Sequence, residues 1–243
     1  MKSHAALEAE TFDGFAAEYD AALTRGIGIS GEPKEYFARE RVRWLSERLQ
    51  QLNVRPQTVM DFGCGTGTAT PFLLSIPGVQ QLVGVDTSVR SLNLARVTWD
   101  PTRAQFQGFD PARAATIADL AFCNGVFHHI EPRERLDALD YIHRALKPRG
   151  YFAFWENNPW NPGARYVMSR IPFDRDAQLI SPVAARKLLA QVGFVVIRID
   201  FLFIFPRLLR LLRPVEARVA CLPLGAQYLV LCQKVGPLGV AAR

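Results

Sequence analysis

The run Val59-Met60-Asp61-Phe62-Gly63-Cys64-Gly65-Thr66-Gly67 joins a short apolar stretch to an acid and then to three alternating glycines. It reads as a strand end turning sharply into a nucleotide-binding loop, because alternating glycines accept positive φ and let a ligand approach the backbone. Thr66 or Thr68 is placed to cap the helix that follows through Ala69, Phe72 and Leu73. Farther along, Gln81-Leu82-Val83-Gly84-Val85-Asp86 is a second apolar strand. Its terminal carboxylate lies about 20 residues past the loop, where a dinucleotide-type site places the acid that grips ribose hydroxyls. No Lys-Ser/Thr follows the glycines, which excludes a P-loop, and GxGxG matches the dinucleotide fingerprint GxGxxG less well. A ribose-bearing cofactor without a pyrophosphate is implied.

On these residues the chain resembles the class I S-adenosylmethionine-dependent methyltransferases, in which DxGxGxG ends the first strand and an acid ends the second. Ala118 to Ile130, with the run Asn124-Gly125-Val126-Phe127-His128-His129, resembles the fourth strand of that family, and Leu146 to Phe154 resembles the turn into its fifth. The resemblance covers most of the chain and is specific for the cofactor, not for the substrate. A dehydrogenase-like or purely structural α/β domain is the alternative. The resemblance implies that Asp61, Gly63, Cys64, Gly65 and Gly67 form the loop and methionine contacts, and that Asp86 holds the ribose. It also sets Thr87 and Asp110 beside the adenine, Asn124, Gly125 and Val126 along the methionine portion, and Tyr19 as an aromatic closing over it. Two positions depart from the pattern. The family more often places its adenine-side acid where this chain has Phe109, and Asn157 stands where some members carry histidine in a Glu-His-Asn-Pro run.

Methyl transfer from a sulfonium is an in-line displacement with a neutral leaving group, so alignment and exclusion of water matter most. A base is needed only for a reluctant nucleophile. His128 and His129 follow the fourth strand, and one of them is a candidate base or substrate anchor, against the alternative of a hydrogen-bonded structural histidine. Glu156 is the other candidate, as base or as binder of a substrate hydroxyl or amine. The long aromatic connection from Glu156 to Asp174 reads as a substrate lid, with Asn157, Arg165, Tyr166 and Arg170 as candidate substrate contacts, or else as a structural loop.

Positioning these groups requires strands near 58–62, 81–86, 104–108, 119–124 and 150–155, separated by helices after Thr68, Ser88, Pro111 and Glu131. Phe194 to Phe205 and Ala226 to Gln233 read as two further strands. The expected fold is therefore α/β and Rossmann-like: a seven-stranded, mostly parallel sheet whose last strand the resemblance makes antiparallel, with helices on both faces. One domain over 1–243 is expected: N-terminal helices over 1–55 (one from Phe12 to Leu23) forming a cap, a cofactor core over 56–156, the lid over 157–180, and the rest of the sheet over 181–243.

With 243 residues and 49% hydrophobic content, the chain can bury a substantial core without disulfides. Its four cysteines show no CxxC pairing, no metal is expected, and a reducing cytoplasm suits them. The N-terminus carries Glu8, Glu10 and Asp13 without an apolar core segment, so no secretory signal is expected. The net charge of +6 is spread along the chain except at Arg207, Arg210 and Arg213, which alternate with Leu208, Leu209, Leu211 and Leu212. That stretch reads as an amphipathic helix packed on the sheet edge, with a peripheral membrane or lipid-substrate contact as the alternative. No Pro-Pro-aromatic run of nucleobase-amine methyltransferases follows the fourth strand, the acids of a magnesium-dependent catechol type are missing, and no RNA-binding module is visible. These features favour S-adenosylmethionine-dependent transfer to a small-molecule or lipid- or glycan-linked acceptor. An RNA or protein methyltransferase, or a cofactor-binding protein without transferase activity, is the alternative.

Overall fold

The computed structural model describes residues 26–171 and 177–235. Tyr19, the helix expected from Phe12 to Leu23 and part of the lid lie outside them. In chain order the elements are α1 (Lys34–Gln51), β1 (Thr58–Phe62), α2 (Thr70–Leu73), β2 (Gln81–Asp86), α3 (Val89–Thr98), β3 (Ala104–Gly108), β4 (Ala118–Asn124), α4 (Arg135–Ala145), β5 (Leu146–Asn157), α5 (Pro162–Arg170), α6 (Pro182–Gln191), β6 (Phe194–Leu202), α7 (Arg213–Val219) and β7 (Gln227–Lys234).

The strands form one seven-stranded sheet in the order β3-β2-β1-β4-β5-β7-β6. β1 to β5 pair in parallel, and β7 runs antiparallel between β5 and β6. The central strands are apolar on both faces, as a sheet covered by helices on both sides demands. Met60, Phe62, Ala121, Cys123, Phe152 and Phe154 face one core with Leu139 and Ile142 of α4 and Leu189 of α6. Val59, Leu120, Phe122, Ala153 and Trp155 alternate with them and face a second core, with Leu45 and Leu49 of α1 and Leu92 of α3. Between β1 and β4 the order reverses from leftward to rightward, so their carboxyl ends frame a crevice of the kind that binds ligands in open α/β sheets.

Four expectations need correction. The region after Pro111 forms only a short 3-10 turn, Pro111–Arg113, before β4 begins at Ala118, leaving no length for a helix. Neither Thr66 nor Thr68 caps α2, which starts from Ala69 without a side-chain cap. The Lys147-Pro148-Arg149-Gly150 turn lies inside β5 as an irregularity in its pairing with β4, with Arg149 at φ 63°. The Arg/Leu stretch is not packed on the sheet edge. Arg207–Leu212 is a 3-10 helix with non-helical geometry at Leu209, and no residue in it is buried. Pro206 and Pro214 bound this turn, and with 3 residues per turn its leucines do not gather on one inward face.

Within α1 only the N-terminal end borders the crevice, because Val42, Trp44, Leu45 and Leu49 pack in the core. A buried polar node fixes this helix to β6. The Asp200 carboxylate accepts from Trp44 Nε1 at 2.8 Å, from Arg48 Nε at 3.2 Å and from Arg198 Nη2 at 2.7 Å, and the Arg48 guanidinium lies 4.0 Å from the Trp44 ring centroid. Removing one partner of a buried ion pair leaves the other charge uncompensated. Asp200→Ala should therefore lower unfolding free energy by roughly 3 kcal/mol in urea titrations, a loss typical of such breaks.

Candidate active site

The loop after β1 is held to β2 by three of its backbone amides, two bonded to a backbone carbonyl and one to a side-chain carboxylate. The Gly63 and Cys64 amides donate to Val85 O at 2.7 and 3.2 Å, and the Gly65 amide donates to Asp86 Oδ2 at 2.7 Å. Gly63 stands at φ 74° and a Cβ there would lie 2.2 Å from Val126 Cγ2, so only glycine lets the two strand ends approach this closely. At Gly65, φ 53°, a Cβ would meet nothing within 4 Å, which leaves the backbone open toward the cavity.

That cavity is about 830 Å³ and is bounded by the ends of β1, β2 and β4, the start of α1, the inner face of α5 and the segment after β6. Asp61, Gly63, Cys64, Gly65, Asp86, Thr87, Asn124, Gly125, Val126, His128, His129 and Asn157 all line it, so most residues singled out from the sequence are brought together. Burial, with the Asp86 charge adding to it, pushes the Asp61 carboxyl up to about 7. Asp86 accepts the Gly65 amide with one oxygen and the Ser88 amide, at 2.9 Å, with the other, and it lines the cavity. Asn124 Oδ1 is buried without a hydrogen-bond partner. A buried carboxylate and an orphaned amide oxygen in one wall form an acceptor set suited to a cationic or amine-bearing ligand. Cys64 is no nucleophile, because burial and the two aspartates raise its thiol far above the usual range.

At the end of β4, His128 Nδ1 lies 2.6 Å from Glu156 Oε2, and Glu156 Oε1 accepts the Phe127 amide at 2.8 Å. Glu156 is fully buried and does not line the cavity, whereas His128 does. With the carboxylate accepting, Nδ1 carries a proton toward Glu156, which fixes the orientation of the ring. The His129 ring lies beside it at a centroid separation of 4.1 Å.

Several expected residues lie elsewhere. Gly67 sits against the Trp99 indole outside the cavity wall. Asp110 turns away to accept the Ala112 amide at 3.0 Å, capping the 3-10 turn, and Phe109 takes the cavity position. Arg165, Tyr166 and Arg170 occupy the exposed face of α5, where the Arg170 guanidinium bonds Tyr166 OH at 3.0 Å, while Ala164, Val167 and Met168 face the cavity. Asn157 does reach it, in a chain of hydrogen bonds: Gln227 Nε2 donates to Asn157 Oδ1 at 2.9 Å and Arg41 Nε donates to Gln227 Oε1 at 2.8 Å. Tyr36, Phe37, Arg41, Phe203 and Phe205 also line the cavity and were not singled out from the sequence. Their only signal was an aromatic at the polar end of an amphipathic helix and an apolar run past the end of a strand. Among the described residues no group of histidine, cysteine and acid side chains is placed to hold a metal ion.

The family described as "Methyltransferase domain" matches residues 35–199, which include the loop, both aspartates and the His128–Glu156 pair. This chain belongs to that methyltransferase family. Among its relatives, a trans-aconitate 2-methyltransferase of Pseudomonas paraeruginosa is 29% identical over 200 residues, covering 68% of this chain and 70% of the relative. A malonyl-[acyl-carrier protein] O-methyltransferase of Legionella pneumophila is 36% identical over a shorter stretch, 35% of this chain and 31% of its own length. The magnesium protoporphyrin IX methyltransferase of Synechocystis, solved with bound SAH, superposes with a TM-score of 0.62 at 14% identity, covering 94% of this chain and 99% of that one. The fold and the methyltransferase class, dependent on S-adenosylmethionine, are thus shared.

The raised Asp61 pKa sets a pH signature on this methyltransferase. Its folded-state value of about 7 exceeds the unfolded value of about 3.9, so the contribution of Asp61 to stability is full below the unfolded value and is lost as pH rises toward 7. Asp61→Asn, neutral throughout, should exceed the parent in stability by roughly 2–4 kcal/mol at pH 8 and match it near pH 4. Urea unfolding of ligand-free protein across pH measures the difference, and parallel curves for the two proteins would contradict it.

Proposed function

We propose that this chain transfers the methyl group of S-adenosylmethionine to an oxygen or nitrogen of a small-molecule acceptor held in the cavity between α1, α5 and the segment after β6. The observation that carries this reading is a single cavity wall holding the strand-end acids and an imidazole oriented by a buried carboxylate. When bound, S-adenosylmethionine supplies a methyl group on a sulfonium. Asp86, a carboxylate acceptor in the cavity wall, suits the ribose hydroxyls, and Asp61 with Asn124 Oδ1 suits the ammonium end of the methionine portion. Gly65 offers open backbone beside them, and Thr87 and Phe109 supply the wall for the adenine.

His128 acts on the acceptor. Its Nε2 accepts the proton that a hydroxyl or amine must lose, and Glu156 stabilises the imidazolium that results through Nδ1–H. Glu156 touches no cavity surface and is therefore a positioning residue. The apolar walls from Phe37, Phe203, Val167 and Met168 exclude water from the displacement.

A second reading is favoured by Arg41. Its guanidinium, held by Gln227, suits a carboxylate, and the relatives named above are methyltransferases of trans-aconitate and of a malonyl group. A carboxylate is already a nucleophile and needs no base.

Two measurements test these readings. Asp86→Ala should weaken S-adenosylmethionine binding at least about tenfold by calorimetry, as loss of charge-assisted hydrogen bonds requires. With a competent acceptor, His128→Asn should lower kcat about 100-fold or more while cofactor affinity holds. Glu156→Gln should lower kcat less and displace its pH profile. An unchanged kcat in His128→Asn together with a large KM increase in Arg41→Gln would instead establish the carboxylate acceptor.

A further inference from the structure

The segment leaving the cavity wall after Phe205 and Pro206 carries the most exposed apolar side chains of the described residues. Leu208 is 91% exposed and Leu211 88%, while Leu209 and Leu212 are both 45% exposed. These exposures repeat at a spacing of three residues across the kink at Leu209. Leu208 and Leu211 form one outward ridge, Leu209 and Leu212 a half-covered one, and Arg207 and Arg210 an exposed basic edge. α7 adds half-exposed Val215 and exposed Arg218, and the turn behind it adds Leu222 and Leu224, 47% and 52% exposed.

Charge and shape together say what this ridge suits. Between 207 and 224 the chain carries Arg207, Arg210, Arg213 and Arg218 against the single acid Glu216. Glu216 is turned inward, accepting the Phe203 amide at 3.2 Å and the Phe205 amide at 2.9 Å. Arg213 is also turned inward, bonded to Glu32 at 3.0 Å and stacked on Tyr36. These two residues anchor the segment to the body, joined by Arg207, whose guanidinium donates to Gly31 O at 3.3 Å, and Arg207, Arg210 and Arg218 are all exposed. Two leucines standing in water between guanidinium groups cost free energy in a soluble protein, and contiguous patches of this kind mark interaction surfaces. A convex ridge with a basic border matches the interfacial zone of an anionic bilayer, where leucines enter the acyl boundary and arginines meet lipid phosphates.

We infer that Arg207–Leu212 and the adjoining face of α7 dock this protein on anionic lipid surfaces. The cavity wall and the ridge are consecutive in the chain, since Ile204, Phe205, Pro206 and Arg213 line the cavity, so docking sets that wall beside the lipid. The inference does not depend on the transfer reaction.

The test is cosedimentation of the full chain with phosphatidylcholine vesicles, with and without phosphatidylglycerol, at low and physiological salt. Binding is expected to the anionic vesicles, weakening as salt rises. The double variant Leu208→Glu/Leu211→Glu should lose binding about tenfold or more, and Arg207→Gln/Arg210→Gln should lose its salt-sensitive part, both with unchanged thermal unfolding and cofactor affinity. Protein that remains in the supernatant with every vesicle, or a leucine variant that binds like the parent, would overturn the inference. So would a concentration-dependent dimer that Leu208→Glu/Leu211→Glu dissolves in the absence of vesicle binding, because the ridge would then be a contact between copies.

Discussion

The carboxyl ends of β1 and β2 are held together by three backbone amides, those of Gly63, Cys64 and Gly65, which donate to Val85 O and to the Asp86 carboxylate. The rest of the site follows from that tie. It closes the loop so tightly that Val126, arriving from β4, packs directly on Gly63. It consumes one lone pair of Asp86 while aiming that carboxylate at the cavity. It also brings Asp61 close enough to Asp86 for their charges to oppose each other in a buried setting. A side chain at position 63 would part the strands and disperse all of these relations at once.

This arrangement carries a cost in the ligand-free protein. Asp61 is buried with a raised pKa, and Asn124 Oδ1 lacks a partner, two features that packing alone would remove. They are tolerated because the sheet is sandwiched between two extensive cores, so the deficit stays local. Strain of this kind concentrated at strand ends is what a site prepared for a cationic ligand requires.

The strand-end loop, Asp86 and the alternation of strands and helices were legible because each is written in contiguous residues. Central parallel strands are near-continuous apolar runs, and the GxGxG turn gains its meaning from the acid that ends the next strand about 20 residues on. What escaped the sequence depends on direction. Asp110 and Phe109 are neighbours, and only the path of the chain into the 3-10 turn decides that the acid caps and the phenylalanine faces inward. Arg165, Tyr166 and Arg170 were read as substrate contacts on a lid or loop, but the segment forms α5, which turns its small and apolar side chains to the cavity and leaves these three on the outer face. Glu156 was legible as a candidate, but its burial behind His128 was not, because that depends on the pairing of β4 with β5. The leucines after Pro206 were read with an α-helical period, and the tighter winding distributes them differently.

The Asp200 node has a consequence beyond holding α1 in place. It bolts α1 to β6, and each leads into aromatic side chains that line the same cavity: Tyr36 and Phe37 from α1, Phe203 and Phe205 from just past β6. Phe37 and Phe203 meet edge to face at 5.1 Å, so these two walls are a single rigid surface although they come from distant parts of the chain. The spacing of these two walls is thus tied to a hydrogen-bonded anchor in the protein interior, away from the side chains that face the cavity, so the shape of the cavity rests on residues that never border it.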